Sequence, residues 1–158
     1  MLEEIIIYST DNYNVVVPRR AHIPREDGGH LMIVPKVNKI SRIDLNPQEA
    51  KELMMLTMLI GEAMTKGLKK SGIILNRINY QDNGNWAFIY KTKPHLHIHL
   101  YGRVENSKTQ KNGEALYFRD PFEFDYTKYE RLNENDINNI VDEIKILICK
   151  PKYNLKNW

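Results

Sequence analysis

The sequence predicts an α+β domain in which an antiparallel sheet of about five strands packs against two main helices. Short β-prone runs are divided by turn compositions, and two longer segments repeat apolar residues at helical spacing. Three histidines alternate with apolar residues in the run Pro94-His95-Leu96-His97-Ile98-His99-Leu100-Tyr101. With 158 residues, 42% of them hydrophobic and 27% charged, the chain suffices for one core and reads as a single domain over 1–158.

Ile5 to Tyr8 and Tyr13 to Val17 flank the turn composition Thr10-Asp11-Asn12 and predict a hairpin. After a polar loop ending in Gly28-Gly29, His30 to Val34 reads as a buried strand closed by Pro35. Asn46-Pro47-Gln48-Glu49 carries the marks of a helix start: a cap, a proline in the first turn and a carboxylate placed to close a capping box. Leu53, Leu56, Ile60, Met64 and Leu68 continue it at helical spacing to about Ser71-Gly72. Met54, Met55 and Met58 widen its apolar face, for core packing or for a second subunit. Ile73 to Tyr80 predicts a strand, Asp82-Asn83-Gly84-Asn85 a hairpin turn, and Trp86 to Tyr90 and His95 to Tyr101 further strands. Val104 to Arg131 has no clear period and reads as loop. A last helix carries Ile137, Ile140, Ile144 and Leu147 on one stripe, with Asn133 as cap and Pro151 as stop.

A net charge of +3 suits an anionic small ligand, and no stripe of basic residues interleaved with aromatics points to nucleic acid. The single cysteine, Cys149, cannot form an internal disulfide, and no run approaches membrane-spanning length. Acidic residues in Met1-Leu2-Glu3-Glu4-Ile5 disfavour a signal peptide, so the expectation is a cytoplasmic protein with no membrane partner.

In an extended segment the three imidazoles project from one face, roughly 6.5 to 7 Å apart, while Leu96, Ile98 and Leu100 face the core. A neutral imidazole is a nucleophile near neutral pH, and its neighbours can hold phosphoryl oxygens or pass a proton. The competing reading is zinc held by His95, His97 and His99 with His30. Alternating strand positions converge poorly on one tetrahedral ion, and no carboxylate or second cysteine joins them.

These residues resemble the histidine triad superfamily, whose signature is His-x-His-x-His with apolar residues between. Gly29-His30-Leu31-Met32-Ile33-Val34-Pro35-Lys36 resembles the strand that supplies a fourth active-site histidine in that family, and Arg103 follows the triad at the usual distance. The resemblance covers about Tyr13 to Arg103. It implies a domain core over about 5–103, with 104–158 as a C-terminal loop and helix extension, and usually a homodimer. It further implies hydrolysis or transfer of nucleotides from phosphate esters, from anhydrides such as dinucleoside polyphosphates (diadenosine tetraphosphate among them), or from phosphoramidates. Carried over by position, His97 attacks the α-phosphorus to form a nucleotidyl-histidine, His95 and His99 hold phosphate oxygens or tune its ring, and His30 supports the pocket. The scheme needs no cofactor or metal.

The family's side-chain amides eleven and four positions before the first triad histidine are here Gly84 and Lys91. Asn83 and Asn85 are the substitutes for the first, Lys91 a point charge in place of the second, and Arg103 a further substrate contact. The missing glutamine also allows a nucleotide-binding module with little turnover. Arg19 and Arg20 could reach phosphates or be plain exposed arginines, His22 is expected at the surface, and residues 104–131 are read as a solvated loop anchored by aromatics, with a cover over the pocket or the dimer edge as the alternative.

Overall fold

The computed structural model describes residues 3–84, 86–154 and 158. Five strands form one antiparallel sheet: β1 (Ile5–Ser9), β2 (Tyr13–Val17), β3 (His30–Pro35), β4 (Arg77–Gln81) and β5 (Ile98–Arg103), in the order β1-β2-β3-β5-β4. Helix α1 spans Pro47–Lys70, a single turn α2 Trp86–Ile89, and α3 Glu134–Ile148. The expected α+β architecture is therefore present, and among the described residues no helix is long and apolar enough to cross a membrane.

Both long helices start as their sequences dictate. Asn46 and Asn133 each accept from the backbone N–H three residues on, and Glu49 and Asp136 return the bond to the cap amide. The helices cover one face of the sheet, where Leu31, Ile33, Ile98 and Leu100 bury against Leu56, Ile60, Met64, Ile140 and Ile144. Gly67 lets α1 and α3 approach, because a Cβ there would lie 2.8 Å from the Ile140 backbone. Glycine costs a helix about 1 kcal/mol of propensity, less than forcing two packed helices apart.

Residue parity leaves the opposite face for chemistry. His30 pairs with Tyr101 and Met32 with His99 across β3 and β5, so all four project away from the helices. A second close approach sets the entry to β3: Gly28, at φ 115°, passes so near Gly102 that a Cβ on either would strike backbone. Only glycine fits both positions.

Four expectations need correction. Trp86 to Tyr90 is not a strand, and Asp82 to Gly84 do not close a two-residue hairpin. The antiparallel pair is β4 with β5, and residues 82–97 are the long connection between them, turning through α2. β4 itself begins at Arg77, because the Ile73 amide is spent closing α1 on the Leu68 carbonyl. Finally, β5 begins only at Ile98. The ladder with β3 stops at Ile33 and Ile98, and one step on Pro35 has no N–H to give Leu96, whose own amide turns to the Lys39 carbonyl at 2.7 Å. Leu96 is nonetheless buried while His95 is exposed, so the alternation outlasts the strand.

Candidate active site

On the face left bare by the helices lies an open cavity of about 630 Å³. His30, His95, His97 and His99 line it together with His22, Asn83, Gly84, Trp86 and Phe118; Arg19 and Arg20 stand at its rim. Burial increases along the row, from exposed His95 through half-buried His97 to buried His99. The rings of His95 and His97 lie 4.7 Å apart, those of His97 and His99 4.5 Å and edge to face.

Three hydrogen bonds fix which nitrogens carry protons. His97 Nδ1 lies 2.9 Å from the His95 carbonyl, which can only accept, so Nδ1 carries the hydrogen and Nε2 of the neutral ring keeps its lone pair. His30 Nδ1 accepts from the His22 backbone N–H at 3.2 Å, so its proton sits on Nε2. That proton is donated to His99 Nδ1 at 2.8 Å, which leaves His99 a donor only at Nε2. The row therefore offers a lone pair at its centre and an N–H beside it.

Burial keeps these rings neutral. It lowers His30 well below the ordinary imidazole value, His99 to about 2 and His22 to about 4, with neighbouring imidazoles adding to the effect. His97 is lowered too, first by burial, against a raising contribution from its bond to the His95 carbonyl.

The same tautomers bear on the metal reading. Among the described residues the histidines with converging nitrogens are His22, His30 and His99, within 4.8 Å of one another, and not the row itself. His30 does not fit the role of ligand: its Nε2 carries a proton, and moving that proton to Nδ1 would set it against the His22 amide. The set is poorly suited to zinc although its atoms are close.

Other expected site residues fare differently. Asn83 lines the cavity and donates to the Tyr101 hydroxyl at 3.4 Å, whereas Asn85 lies outside the described residues. Lys91 is exposed at φ 54° and does not line the cavity. Arg103 is buried beyond it, its guanidinium donating to the carbonyls of Lys111 and Glu114 at 3.0 Å, so it organises the extension and not the pocket.

That extension is more than a solvated loop. The Asp27 carboxylate receives the amides of Lys108 and Thr109, and the chain beyond brings Phe118 into the cavity wall and the Tyr126 ring to 5.1 Å from His22. His22 is likewise not a surface residue: its Nδ1 lies 2.8 Å from the Tyr101 hydroxyl, and its ring stands 4.9 Å from that of His30. No local motif marks His22 or Phe118. Tyr101 was readable, since it continues the parity of His97 and His99.

No family model matches the sequence, and no curated protein matches it. Solved structures do match. A hypothetical histidine triad nucleotide-binding protein from Sulfolobus tokodaii superposes with a TM-score of 0.61 over 97% of this chain and 91% of its own, at 17% identity. A histidine triad protein from Marinobacter aquaeolei gives 0.60 over 92% and 88%, at 14% identity. A zinc-bound histidine triad family protein from Mycobacterium smegmatis gives 0.53 over 91% and 86%, at 22% identity. The chain has the histidine triad fold.

Proposed function

We propose that this protein is a histidine triad enzyme in chemistry as well as fold, a nucleotide hydrolase or nucleotidyl transferase acting through His97. The observation that carries the reading is the bond from His97 Nδ1 to the His95 carbonyl, in a ring that lines an open cavity. It leaves Nε2 free to attack, and it strengthens when the ring becomes a cationic nucleotidyl-imidazolium, because a charged donor makes the stronger hydrogen bond. The fold shared with a hypothetical histidine triad nucleotide-binding protein is consistent with the substrate class.

In the proposed cycle the His97 Nε2–P bond forms as the bond from the α-phosphorus to its leaving oxygen or nitrogen breaks. His99 Nε2–H donates to a phosphoryl oxygen as its charge grows. The leaving group takes a proton, for which exposed His95 at the mouth is the nearest carrier. Water then attacks phosphorus and gives a proton back to His95, the N–P bond breaks, and a nucleoside monophosphate departs from neutral His97. Dinucleoside polyphosphates such as diadenosine tetraphosphate and nucleoside phosphoramidates are the first substrates to test, since both place a leaving group on the α-phosphorus. Rapid acid quench during turnover, followed by mass spectrometry, is expected to find a nucleotidyl mass on the peptide carrying His97. Turnover with that peptide unmodified at every quench time overturns the covalent route.

The proposal extends to a homodimer. β4 is an edge of the sheet, and beside it Met54, Met58 and Tyr80 are exposed around a groove floored by Leu53 and Ile98. An exposed edge with an apolar flank is an aggregation hazard unless covered, and a second copy meeting it about a two-fold axis covers both. Sedimentation at tens of micromolar is expected to give a dimer that Met54→Glu with Met58→Glu splits. A monomeric wild type refutes it.

A further inference from the structure

His22 stands where three parts of the molecule meet. Its ring lies 5.4 Å from that of His99 on the sheet, 5.1 Å from Trp86 in the β4–β5 connection and 5.6 Å from Phe118 in the extension. Its backbone N–H is the donor that settles the tautomer of His30.

That donor belongs to residues 18–24, which join no strand or helix. Ladder pairing does not aim the amide, so its direction depends on how residue 22 is itself held. Ala21 and Ile23 are buried and fix the depth of the segment; the ring supplies a polar anchor through Nδ1 and the Tyr101 hydroxyl at 2.8 Å. Tyr101 is fully buried, and its hydroxyl already accepts from Asn83, so its one hydrogen goes to His22.

We propose that His22 is a positioning residue of the active site: its ring, tied to Tyr101, aims its own amide at His30 and thereby makes His99 present a protonated Nε2 to the bound phosphate. The chain of cause runs from the Tyr101 hydroxyl to the His22 ring, from the His22 amide to His30 Nδ1, and from His30 Nε2 to His99 Nδ1. The amide can only donate, so it sets the direction of the His30–His99 bond after it, and the His22 ring acts on that direction by holding the amide in place. Only the kinetic consequence rests on the nucleotidyl-transfer reading; the tautomers do not.

The test compares wild type with His22→Phe, His22→Asn and Tyr101→Phe. Phenylalanine at 22 keeps a packed ring without the acceptor, while asparagine restores an acceptor near the place of Nδ1. Imidazole ¹⁵N spectra of the substrate-free proteins at neutral pH read the tautomers without any turnover. His30 and His99 are expected as single Nε2–H forms in wild type and His22→Asn, and as mixtures in His22→Phe and Tyr101→Phe. With a substrate that wild type turns over, kcat is expected to fall about tenfold in the two mixed variants, with KM within about twofold and recovery in His22→Asn. Unmixed spectra in both Phe variants overturn the proposal, as does a kcat loss that asparagine fails to restore. Tautomers that shift as expected in a wild type with no turnover support this inference and sink the nucleotidyl-transfer reading instead.

Discussion

His97→Ala is expected to cut release of nucleoside monophosphate by a factor on the order of 10⁴ or more, with the fold intact. The size follows from the role: a nucleophile that forms the covalent bond has no deputy, and its removal leaves only substrate binding and the His99 donor. Neighbours do not replace it. His99 turns its Nδ1 lone pair toward His30, and exposed His95 lacks the carbonyl bond that holds the central ring. Folding should be spared, because the His97 ring is half-buried over the cavity and the apolar anchors of that segment are Leu96 and Ile98. Single-turnover assays with circular dichroism melting separate the two effects. Activity within tenfold of wild type, in a protein that melts normally, removes His97 as nucleophile. His99→Ala is the informative companion, since it deletes a donor and not the bond-forming atom. Its loss should be nearer the 10² to 10³ that follows removal of one oxyanion donor.

The parts of this site legible in the sequence share one property: they are fixed by local period or local caps. Alternation placed His95, His97 and His99 on one face and Leu96, Ile98 and Leu100 on the other, and the capping residues set the starts of α1 and α3 within a residue. Long-range competition decided the rest. Trp86 to Tyr90 has strand composition, but β4 spends its inner edge on β5, and the chain has to return from Gln81 to Ile98 through that segment. Residues 104–131 have no period because their order is imposed from outside, by the Asp27 carboxylate and the Arg103 guanidinium holding their backbone. The family resemblance makes Arg103 a substrate contact by its place after the triad, and that place does not reveal two carbonyls waiting for its guanidinium. His22 was unreadable for a similar reason. Nothing in Ala21-His22-Ile23 distinguishes a surface histidine from one that a tyrosine on a distant strand draws inward.

Acid should unfold this protein early, and the histidines that build the site are the cause. In the fold His22, His30 and His99 are held neutral, their proton affinities lowered by burial from the ordinary 6.5, to about 4 for His22 and about 2 for His99. In the unfolded chain each titrates near 6.5. The unfolded state therefore binds more protons once the pH drops below 6.5. The stability these groups leave intact above that value is lost as the pH falls, for His22 down to about 4 and for His99 further. Each neutral histidine contributes up to about 1.4 kcal/mol per pH unit, so three together approach 4 kcal/mol per unit near pH 5. Set against a domain stability of about 5 to 15 kcal/mol, that slope is decisive within one or two pH units. Urea unfolding followed by circular dichroism at pH 8, 7, 6 and 5 is expected to show midpoints that change little from pH 8 to 7 and then fall steeply from pH 6 to 5. The linked uptake at pH 5 should reach about three protons, with His97 adding its own share, and one fewer in His22→Asn. A midpoint unchanged between pH 7 and pH 5 would mean that the buried imidazoles accept protons in place, and the neutral relay from the His22 amide to His99 would go with it.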